Sequence, residues 1–363
     1  MARHVNNYVQ RVFTILEEEV KEDTNRNRII KIDRTVFLPE KIYKFIEKMK
    51  WVKLPNVGRI VIANYEDKWY ICNLNNKKYL CDLVTEAKTW CENALTIGLI
   101  ASGKSSIATN IKEINIVDSV LGVKEDKYQV ETLKELFAPQ TIYSLGNGFK
   151  IFYQEDLIRL ICLLEIDEKE YLTDKTREYL KQLLFLESSR CIAELIVNIY
   201  HTHDTKLIFL QLYRMMEYLF MVQKAIEMSK KYSVDKNVII KMLCDDNAFW
   251  QKEEQHVVEL VSTYAGEEEK DRYFKYLQKY NLIDSNVKIK NEKLANYIYR
   301  RRCQIAHFKY RQESIQDENM LYESNERLAE LVCSMYRVLD NDIVTVNSNF
   351  NTWSGVSYEK MDE

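Results

Sequence analysis

The sequence predicts an α+β protein in which a small mixed N-terminal domain precedes an all-helical domain. The N-terminal part contains short stretches of alternating apolar residues, which are typical of β-strands. Almost everything after Gln154 instead repeats its apolar residues at helical spacing. The glycine-containing stretch "YSLGNGFKIFY" separates the two patterns. We therefore expect an α+β domain at 1–150, a helical bundle at 151–345 and a C-terminal tail at 346–363.

The N-terminal domain is expected to hold at least four strands. An opening amphipathic stretch around Val12 and Val20 is followed by "RIIKID", "GRIVIANY", "KWYICNL" and "KYLCDL". The last two segments are joined by "NNK", in which Asn75 and Asn76 tolerate the positive φ angles of a tight turn. This pattern predicts a hairpin between them.

The second part of the chain is expected to form an up-and-down helical bundle. Short polar connections such as "HTHDT" and "QESIQD" favour neighbouring helices that run in opposite directions. The apolar spacing predicts helices over 157–166, 176–200, 206–229, 237–264, 270–282, 292–310 and 320–339.

Composition limits the classes of function. Eight cysteines are scattered without a C-x-x-C pair, and no apolar leader is evident, so we expect a cytoplasmic protein with reduced thiols. The longest apolar runs are too short to cross a membrane, so no membrane role is expected. A net charge of -3 argues against nucleic-acid binding over the whole surface. Any such binding has to come from a local basic patch.

A phosphate-binding loop is suggested by "GLIASGKS", which matches G-x-x-x-x-G-K-[ST] over Gly98 to Ser105. Such a loop needs a strand before it, whereas "TEAKTWCENALTIGLIASG" has helical spacing. We prefer a helix with Thr85 as its N-cap and Gly103 as its C-cap. A nucleotide-dependent switch that uses Lys104 is kept as an alternative.

A metal site is a weaker possibility at "HTHD", His201 to Asp204. Its two imidazoles and one carboxylate are suitable metal ligands, but the sequence offers no further strong ligand motif to complete a site. We prefer a loop between two helices, and we expect neither a metal nor another cofactor.

A strongly basic segment stands out late in the chain. Val287 to Gln312 contains eight Lys and Arg residues against Glu292 alone, a net charge of +7 within a chain whose total is -3. Such a local excess of positive charge favours phosphate binding. On an ideal helix with about 100° per residue, Arg302 lies at the edge of the apolar sector, and His307 lies nearly opposite.

An arginine at an apolar edge needs an acceptor or a facing surface, because burying an unpaired guanidinium is costly. A carboxylate on a neighbouring helix, such as Glu217, would meet this need within one chain. A second copy of the chain would meet it through a homodimer. The sequence leaves both alternatives open.

The segment from Arg302 to His307 fits R-x4-6-H, with a tyrosine shortly after it. This pattern on a late helix resembles the signature of the HEPN superfamily, small helical bundles found in toxin-antitoxin, abortive-infection and CRISPR-associated ribonucleases. "FLQLYRMMEYLF", Phe209 to Phe220, resembles an earlier HEPN helix in which a polar or acidic residue faces the motif helix. The resemblance covers 173–339.

Two features depart from the family pattern. Cys303 stands where family members usually carry Asn, Asp or His directly after the arginine. Tyr310 makes H-x-x-Y, whereas toxins modified by a partner nucleotidyltransferase commonly have H-x-Y. The first departure bears on how the arginine is held, and the second on regulation by such a partner.

The resemblance implies a metal-independent endoribonuclease that cleaves single-stranded RNA in phage defence or in a toxin-antitoxin system. It further implies a homodimer with paired motif helices, a partner such as an antitoxin, and a first domain that senses a trigger or restrains the nuclease. The implied catalytic residues are Arg302 and His307, supported by Glu217. The implied RNA-binding residues are Arg300, Arg301, Gln304, Lys309, Tyr310 and Arg311.

Chemistry agrees with these roles. RNA supplies its own nucleophile, the 2′-hydroxyl, so the protein has only to move a proton and stabilise charge at phosphorus. His307 suits the proton transfer, and Arg302 offers a planar fork for the phosphate oxygens. A HEPN-like module that binds nucleic acid or nucleotide, or only dimerises, without catalysis is the main alternative.

Overall fold

A computed structural model gives the fold of the chain as α+β, as the sequence predicts. A boundary between two compact units falls between Ile151 and Phe152. The residues that the structure describes are 29–31, 39–54, 58–73, 84–87, 91, 94, 95, 98, 127–129, 141–146, 151, 153–244, 249, 251–283, 290–306 and 318–346.

The first unit is built on an antiparallel sheet of five strands in the order β2-β3-β4-β7-β5. A separate two-stranded sheet pairs β1 with β6 in parallel. One helix, α1 (Pro39–Lys48), packs on β3, and its Phe45 is fully buried against Tyr65 and Tyr70. The strands are β1 (Ile29–Lys31), β2 (Met49–Leu54), β3 (Gly58–Tyr65), β4 (Lys68–Asn73), β5 (Val84–Glu86), β6 (Lys127–Gln129) and β7 (Ile142–Leu145).

The β3–β4 connection is a two-residue hairpin turn. Glu66 and Asp67 both have positive φ angles, 49° and 58°, as the turns that match the twist of a hairpin require. This turn lacks the Asn-Gly or Asp-Gly signature, so no local pattern predicted it.

The hairpin predicted around Asn75 and Asn76 is wrong in its pairing. Its second strand lies outside the described residues, but β4 is already paired on both edges, with β3 and with β7. Cys72, for example, is paired with Ile142 across the β7 edge. No edge of β4 is left for a following strand.

The second unit is helical throughout its described part. None of its helices, nor any other described helix, is long and apolar enough to cross a membrane. The α-helices are α2 (Gln154–Glu165), α3 (Asp174–Phe185), α4 (Ala193–Tyr200), α5 (Thr205–Tyr232), α6 (Lys236–Cys244), α7 (Glu253–Tyr264), α8 (Glu267–Lys279), α9 (Lys290–Ala306) and α10 (Glu318–Val346).

The helix predicted over 176–200 is interrupted. A 3-10 helix, Glu187–Ile192, separates α3 from α4. Arg159 donates from Nε to the carbonyl oxygen of Leu184 at 3.1 Å and from Nη2 to that of Leu186 at 2.8 Å. The side chain of Arg159 therefore donates the hydrogen bonds that these carbonyl oxygens would accept from backbone N–H groups if the helix continued.

A buried ionic network holds this break in position. Asp156 is fully buried, and its Oδ1 accepts from Arg159 Nη1 at 2.7 Å and from Arg190 Nε at 2.6 Å. Its other oxygen accepts from the backbone nitrogen of Tyr153 at 3.1 Å. The carboxylate thus links the start of α2 to the 3-10 helix.

The two longest helices form the centre of the second unit. Helix α5 packs against α10 and also against α4, α6, α7 and α9. Tyr336 Oη on α10 donates to the carbonyl oxygen of Met215 at 3.0 Å, and Asn325 Nδ2 donates to that of Thr205 at 2.8 Å. Helix α9, which carries the basic segment, packs against α7, α5 and α8.

Candidate active site on helix α9

Helix α9 is anchored by a buried stripe. Leu294, Ala295 and Ile298 are at most 1% exposed, and they fix which side of the helix faces its neighbours. The described part of the helix ends at Ala306. Four of the predicted site residues therefore lie outside the described residues: His307, Lys309, Tyr310 and Arg311.

Arg302 lies in a polar cluster between three helices. Its Nη2 is 3.3 Å from Oε1 of Glu217 on α5, and its Nε is 3.3 Å from Oε1 of Glu253 on α7. The guanidinium also lies over the ring of Tyr213, 5.6 Å from the ring centre. Glu217 is the carboxylate that the sequence analysis named as a partner for Arg302 within one chain.

Glu253 is itself held by a buried tyrosine. Tyr213 is 1% exposed, and its hydroxyl donates to Oε1 of Glu253 at 2.8 Å. The same oxygen therefore meets both Tyr213 and Arg302. This arrangement fixes the carboxylate on one side while it contacts the arginine on the other.

The charges of the cluster influence one another. Burial raises the pKa of Glu217, and the neighbouring Glu253 raises it further, whereas Arg302 lowers it. Burial lowers the pKa of Arg302, but Glu253 and Glu217 outweigh this effect, so its pKa is raised and it stays charged. Glu217 therefore holds a proton more readily than an ordinary glutamate.

The contacts leave Arg302 able to bind a further anion. Both ion pairs are 3.3 Å long, whereas tight charge-assisted hydrogen bonds measure about 2.7–2.9 Å. Nη1 of Arg302 pairs with no carboxylate among the described residues, and the side chain is 25% exposed. A phosphate oxygen can therefore reach the outer nitrogen while Nε and Nη2 remain oriented.

The other predicted residues on α9 differ in their surroundings. Arg300 and Gln304 are exposed. Arg301 is buried, at 8% exposed, within the apolar stripe of the helix. Cys303, where the family pattern has a more polar residue, raises the pKa of Tyr299 through a hydrogen bond.

Two members of the cluster were missed from the sequence. Tyr213 precedes Glu217 by four residues, which places both on one face of α5, so this signal was present in the sequence. Glu253 begins α7 next to another glutamate, and nothing local distinguishes the two.

The facing surface that Arg302 needs is supplied within one chain. Glu217, Glu253 and Tyr213 all come from the same unit as the arginine. The position of Arg302 at the apolar edge of α9 therefore does not require a second copy of the chain. Only the resemblance to the HEPN superfamily favours a homodimer with paired motif helices.

The described residues that lead into the G-x-x-x-x-G-K-[ST] match are helical, whereas a phosphate-binding loop needs a strand there. Gly98 is helical and buried, in line with the helical Cys91, Ala94 and Leu95. A Cβ at Gly98 would lie 3.0 Å from the side chain of Met49. Lys104 and Ser105, like Gly103, lie outside the described residues.

The predicted start of this helix is wrong. Thr85 lies in β5, where its hydroxyl is 2.8 Å from that of Ser144 on β7, so it is not an N-cap. The error arose because strand pairing with residues far along the chain leaves no local signal in the sequence.

The "HTHD" segment connects α4 and α5. Asp204 is the N-cap of α5, and its Oδ1 accepts from the backbone nitrogen of Lys206 at 2.7 Å. The ring of His203 lies against that of Tyr171, with 4.3 Å between the ring centres and an interplanar angle of 56°. Over the described part of the chain, no group of three or more His, Cys, Asp and Glu side chains is placed to hold a metal ion.

Comparison with family models, with curated proteins and with solved structures finds no match to this chain.

Proposed function

We propose that the protein is a metal-independent endoribonuclease of the HEPN type, with Arg302 and His307 as the catalytic pair. The observation that carries the proposal is the set of contacts around Arg302. Two of its nitrogens face carboxylates, and the third pairs with no carboxylate among the described residues. An arginine oriented in this way suits the recognition of phosphate oxygens.

The chemistry follows from the substrate. The 2′-hydroxyl of RNA attacks the adjacent phosphorus, the bond to the 5′-oxygen of the next nucleotide breaks, and a 2′,3′-cyclic phosphate and a 5′-hydroxyl form. His307 transfers a proton in this step. Arg302 stabilises the negative charge that develops on the non-bridging oxygens. Glu217 and Glu253 position Arg302 for that role.

RNA reaches the site along the exposed side of α9. Arg300 and Gln304 are exposed there, and the segment around them has a local excess of positive charge. These residues position the phosphate backbone without reading base identity. Arg301 is not part of this surface, because it is buried on another side of the helix.

The biological role proposed from the resemblance is RNA cleavage in phage defence or in a toxin-antitoxin system. In that setting the enzyme acts as a homodimer, and an antitoxin or another component of the defence system restrains it. The first unit, with its five-stranded sheet, has the regulatory role. This role rests on the resemblance and not on any residue of the sheet.

The direct test is incubation of the purified protein with single-stranded RNA and with DNA of the same sequence, in the presence of EDTA. We expect cleavage of RNA alone, with 2′,3′-cyclic phosphate and 5′-hydroxyl ends. Loss of cleavage in EDTA, or products with 5′-phosphates, would show that Arg302 and His307 are not the catalytic pair. RNA binding without cleavage would favour the non-catalytic module.

A further inference from the structure

Exposed apolar side chains are concentrated at one place on the second unit. Seven large apolar residues of the described part of the chain are exposed, and four of them lie at the end of α5 and on α6. These four residues form the α6 patch: Tyr232, Val234, Val238 and Met242. Exposed apolar residues that are scattered singly are normal, whereas a group of this kind marks a contact surface.

Helix α6 is held so that the α6 patch faces outwards. Ile239 and Leu243 are buried, at 2% and 7% exposed, and they attach the helix to the bundle. Val238 and Met242, the residues just before them in the sequence, are 49% and 65% exposed. Because successive helical residues are about 100° apart, each pair occupies its own side of the helix. The exposure of the patch therefore follows from how α6 packs.

The start of α6 is also fixed to α10. Lys236 Nζ lies 2.6 Å from Oδ1 of Asp342. Val338 precedes Asp342 by one helical turn and is 62% exposed, so a fifth exposed apolar residue lies beside this contact. The ion pair thus joins the α6 patch to further apolar surface on α10.

Two exposed residues of opposite charge flank the centre of the patch. Asp235 precedes Val238 by three positions, and Lys241 follows it by three. Asp235 Oδ1 accepts from the backbone nitrogen of Asn237 at 2.8 Å, so this residue also caps the start of α6. Lys241 pairs with no carboxylate among the described residues. The lysine is therefore available to a carboxylate of another molecule.

This arrangement of charges is complementary to itself. In an antiparallel pair of α6 helices with a two-fold axis at Val238, residues three positions before and after Val238 lie at the same level, about 4.5 Å from the axis. Asp235 of each copy is then level with Lys241 of the other, and Val234 of each is level with Met242. A parallel pair would instead place like charges level. Charge complementarity therefore favours a second copy in the antiparallel orientation.

We propose that the α6 patch binds a second copy of the chain in an antiparallel, two-fold symmetric contact centred on Val238. Burial of the apolar side chains stabilises the contact, and the two Asp235–Lys241 pairs set its orientation. The surface lies on α6 and not on α9. The proposal therefore depends neither on ribonuclease activity nor on paired motif helices.

Sedimentation velocity of the full-length protein over a series of concentrations is the first test. We expect a dimer whose dissociation constant rises at least tenfold in Val238→Lys, because this variant places two like charges at the two-fold axis. Leu207→Lys, at another exposed apolar residue of α5, should dimerise like the wild type. A chain that is monomeric up to about 100 µM overturns the proposal. A dimer that Val238→Lys leaves intact also overturns it, because the copies then meet through another surface.

Exchange of charges tests the orientation. Lys241→Glu and Asp235→Lys should each weaken the homodimer at least tenfold, because each places like charges level. An equimolar mixture of the two variants should dimerise again, since every facing pair in the mixed dimer has opposite charges. Unfolding of a variant does not produce such a recovery. A mixture that stays monomeric contradicts the antiparallel contact.

A milder pair of variants keeps the test valid if Asp235→Lys does not fold. Asp235→Asn retains a side chain that caps a helix and removes only the charge. It should weaken the dimer severalfold and leave the melting temperature of the monomer unchanged. Added to Lys241→Glu, it should recover part of the lost affinity, because it removes the repulsion between the two carboxylates. Absence of this recovery would show that Asp235 and Lys241 do not face each other across the contact.

Discussion

Arg302 and Glu253 lie on different helices and meet through Nε and Oε1 at 3.3 Å. The same oxygen of Glu253 accepts a hydrogen bond from the buried Tyr213 at 2.8 Å. The carboxylate is therefore anchored more tightly to the tyrosine than to the arginine. A residue in the bundle interior thus sets the position of a side chain that is partly exposed at the surface.

Catalysis should depend on both motif residues. His307→Ala should lower the cleavage rate by about 10²- to 10⁴-fold if the imidazole transfers a proton in the transition state. Arg302→Lys should also lower it severely, because an ammonium group does not reproduce the two-pronged contact with phosphate oxygens. Single-turnover cleavage of a labelled RNA measures both effects.

A matched control for Arg302 is Arg177→Lys on α3. Arg177 is also partly buried, at 19% exposed, and is paired with Asp174. We expect this variant to cleave RNA at the wild-type rate. Equal losses in both variants would point to a general effect on the fold.

RNA binding should respond to the charge of Arg300, which is exposed on α9. Arg300→Ala should weaken binding similarly for all sequences and should reduce the slope of log K against log salt by about one. Fluorescence anisotropy over a series of salt concentrations measures the slope. An unchanged slope would place RNA elsewhere on the protein.

The stability of the fold should carry a pH dependence from Glu217. Its pKa in the folded state is raised above the ordinary value of 4.5, so the folded state binds this proton more tightly than the unfolded state. The stabilisation is fully present below pH 4.5 and is lost as the pH rises through the raised pKa. Glu217→Gln should therefore gain stability relative to the wild type as the pH rises.

Urea unfolding of the wild type and Glu217→Gln, compared at pH 4 and pH 8, tests this dependence. The difference between the two proteins removes the contribution of the other carboxylates. A relative loss of stability by the variant at the higher pH would mean that the pairing with Arg302 outweighs burial.

Removal of Asp156 should be strongly destabilising. The carboxylate is fully buried and pairs with Arg159 and Arg190, whose side chains are 5% and 8% exposed. Asp156→Ala removes the buried carboxylate that Arg159 and Arg190 share, which should cost about 3–5 kcal/mol even though Arg190 also contacts Glu187 at 3.5 Å. Asp174→Ala, at an ion pair whose carboxylate is 92% exposed, should cost less than about 1 kcal/mol. Urea unfolding measures both, and similar costs would contradict this account.

Local periodicity predicted most of the elements but not their partners. The strand "GRIVIANY" coincides with β3, Gly58–Tyr65, because alternation is a property of the strand itself. The pairing of β4 with β7 joins residues about 70 positions apart, and no local pattern encodes it. For the same reason the break after α3 was missed, since it depends on Arg159 reaching the carbonyl of Leu186.

The candidate site was predictable to a similar extent. Its position on α9 and the pairing of Arg302 with Glu217 follow from helical spacing and charge. The buried place of Arg301 was also encoded, because it follows Leu294 and Ile298 at helical spacing. The burial of Arg301 was not predicted because arginine side chains are normally expected at the protein surface. Glu253 comes from α7, and only the packing of α7 against α9 brings it near Arg302.

The pairing of α5 with α10 has a consequence for synthesis. The two helices begin at Thr205 and Glu318, so a ribosome makes the first well before its main partner. Until α10 has emerged, buried α5 residues such as Leu212, Met215 and Leu219 lack part of their final covering. The central interface of the bundle therefore forms late, and the nascent chain has apolar surface that chaperones recognise during that interval.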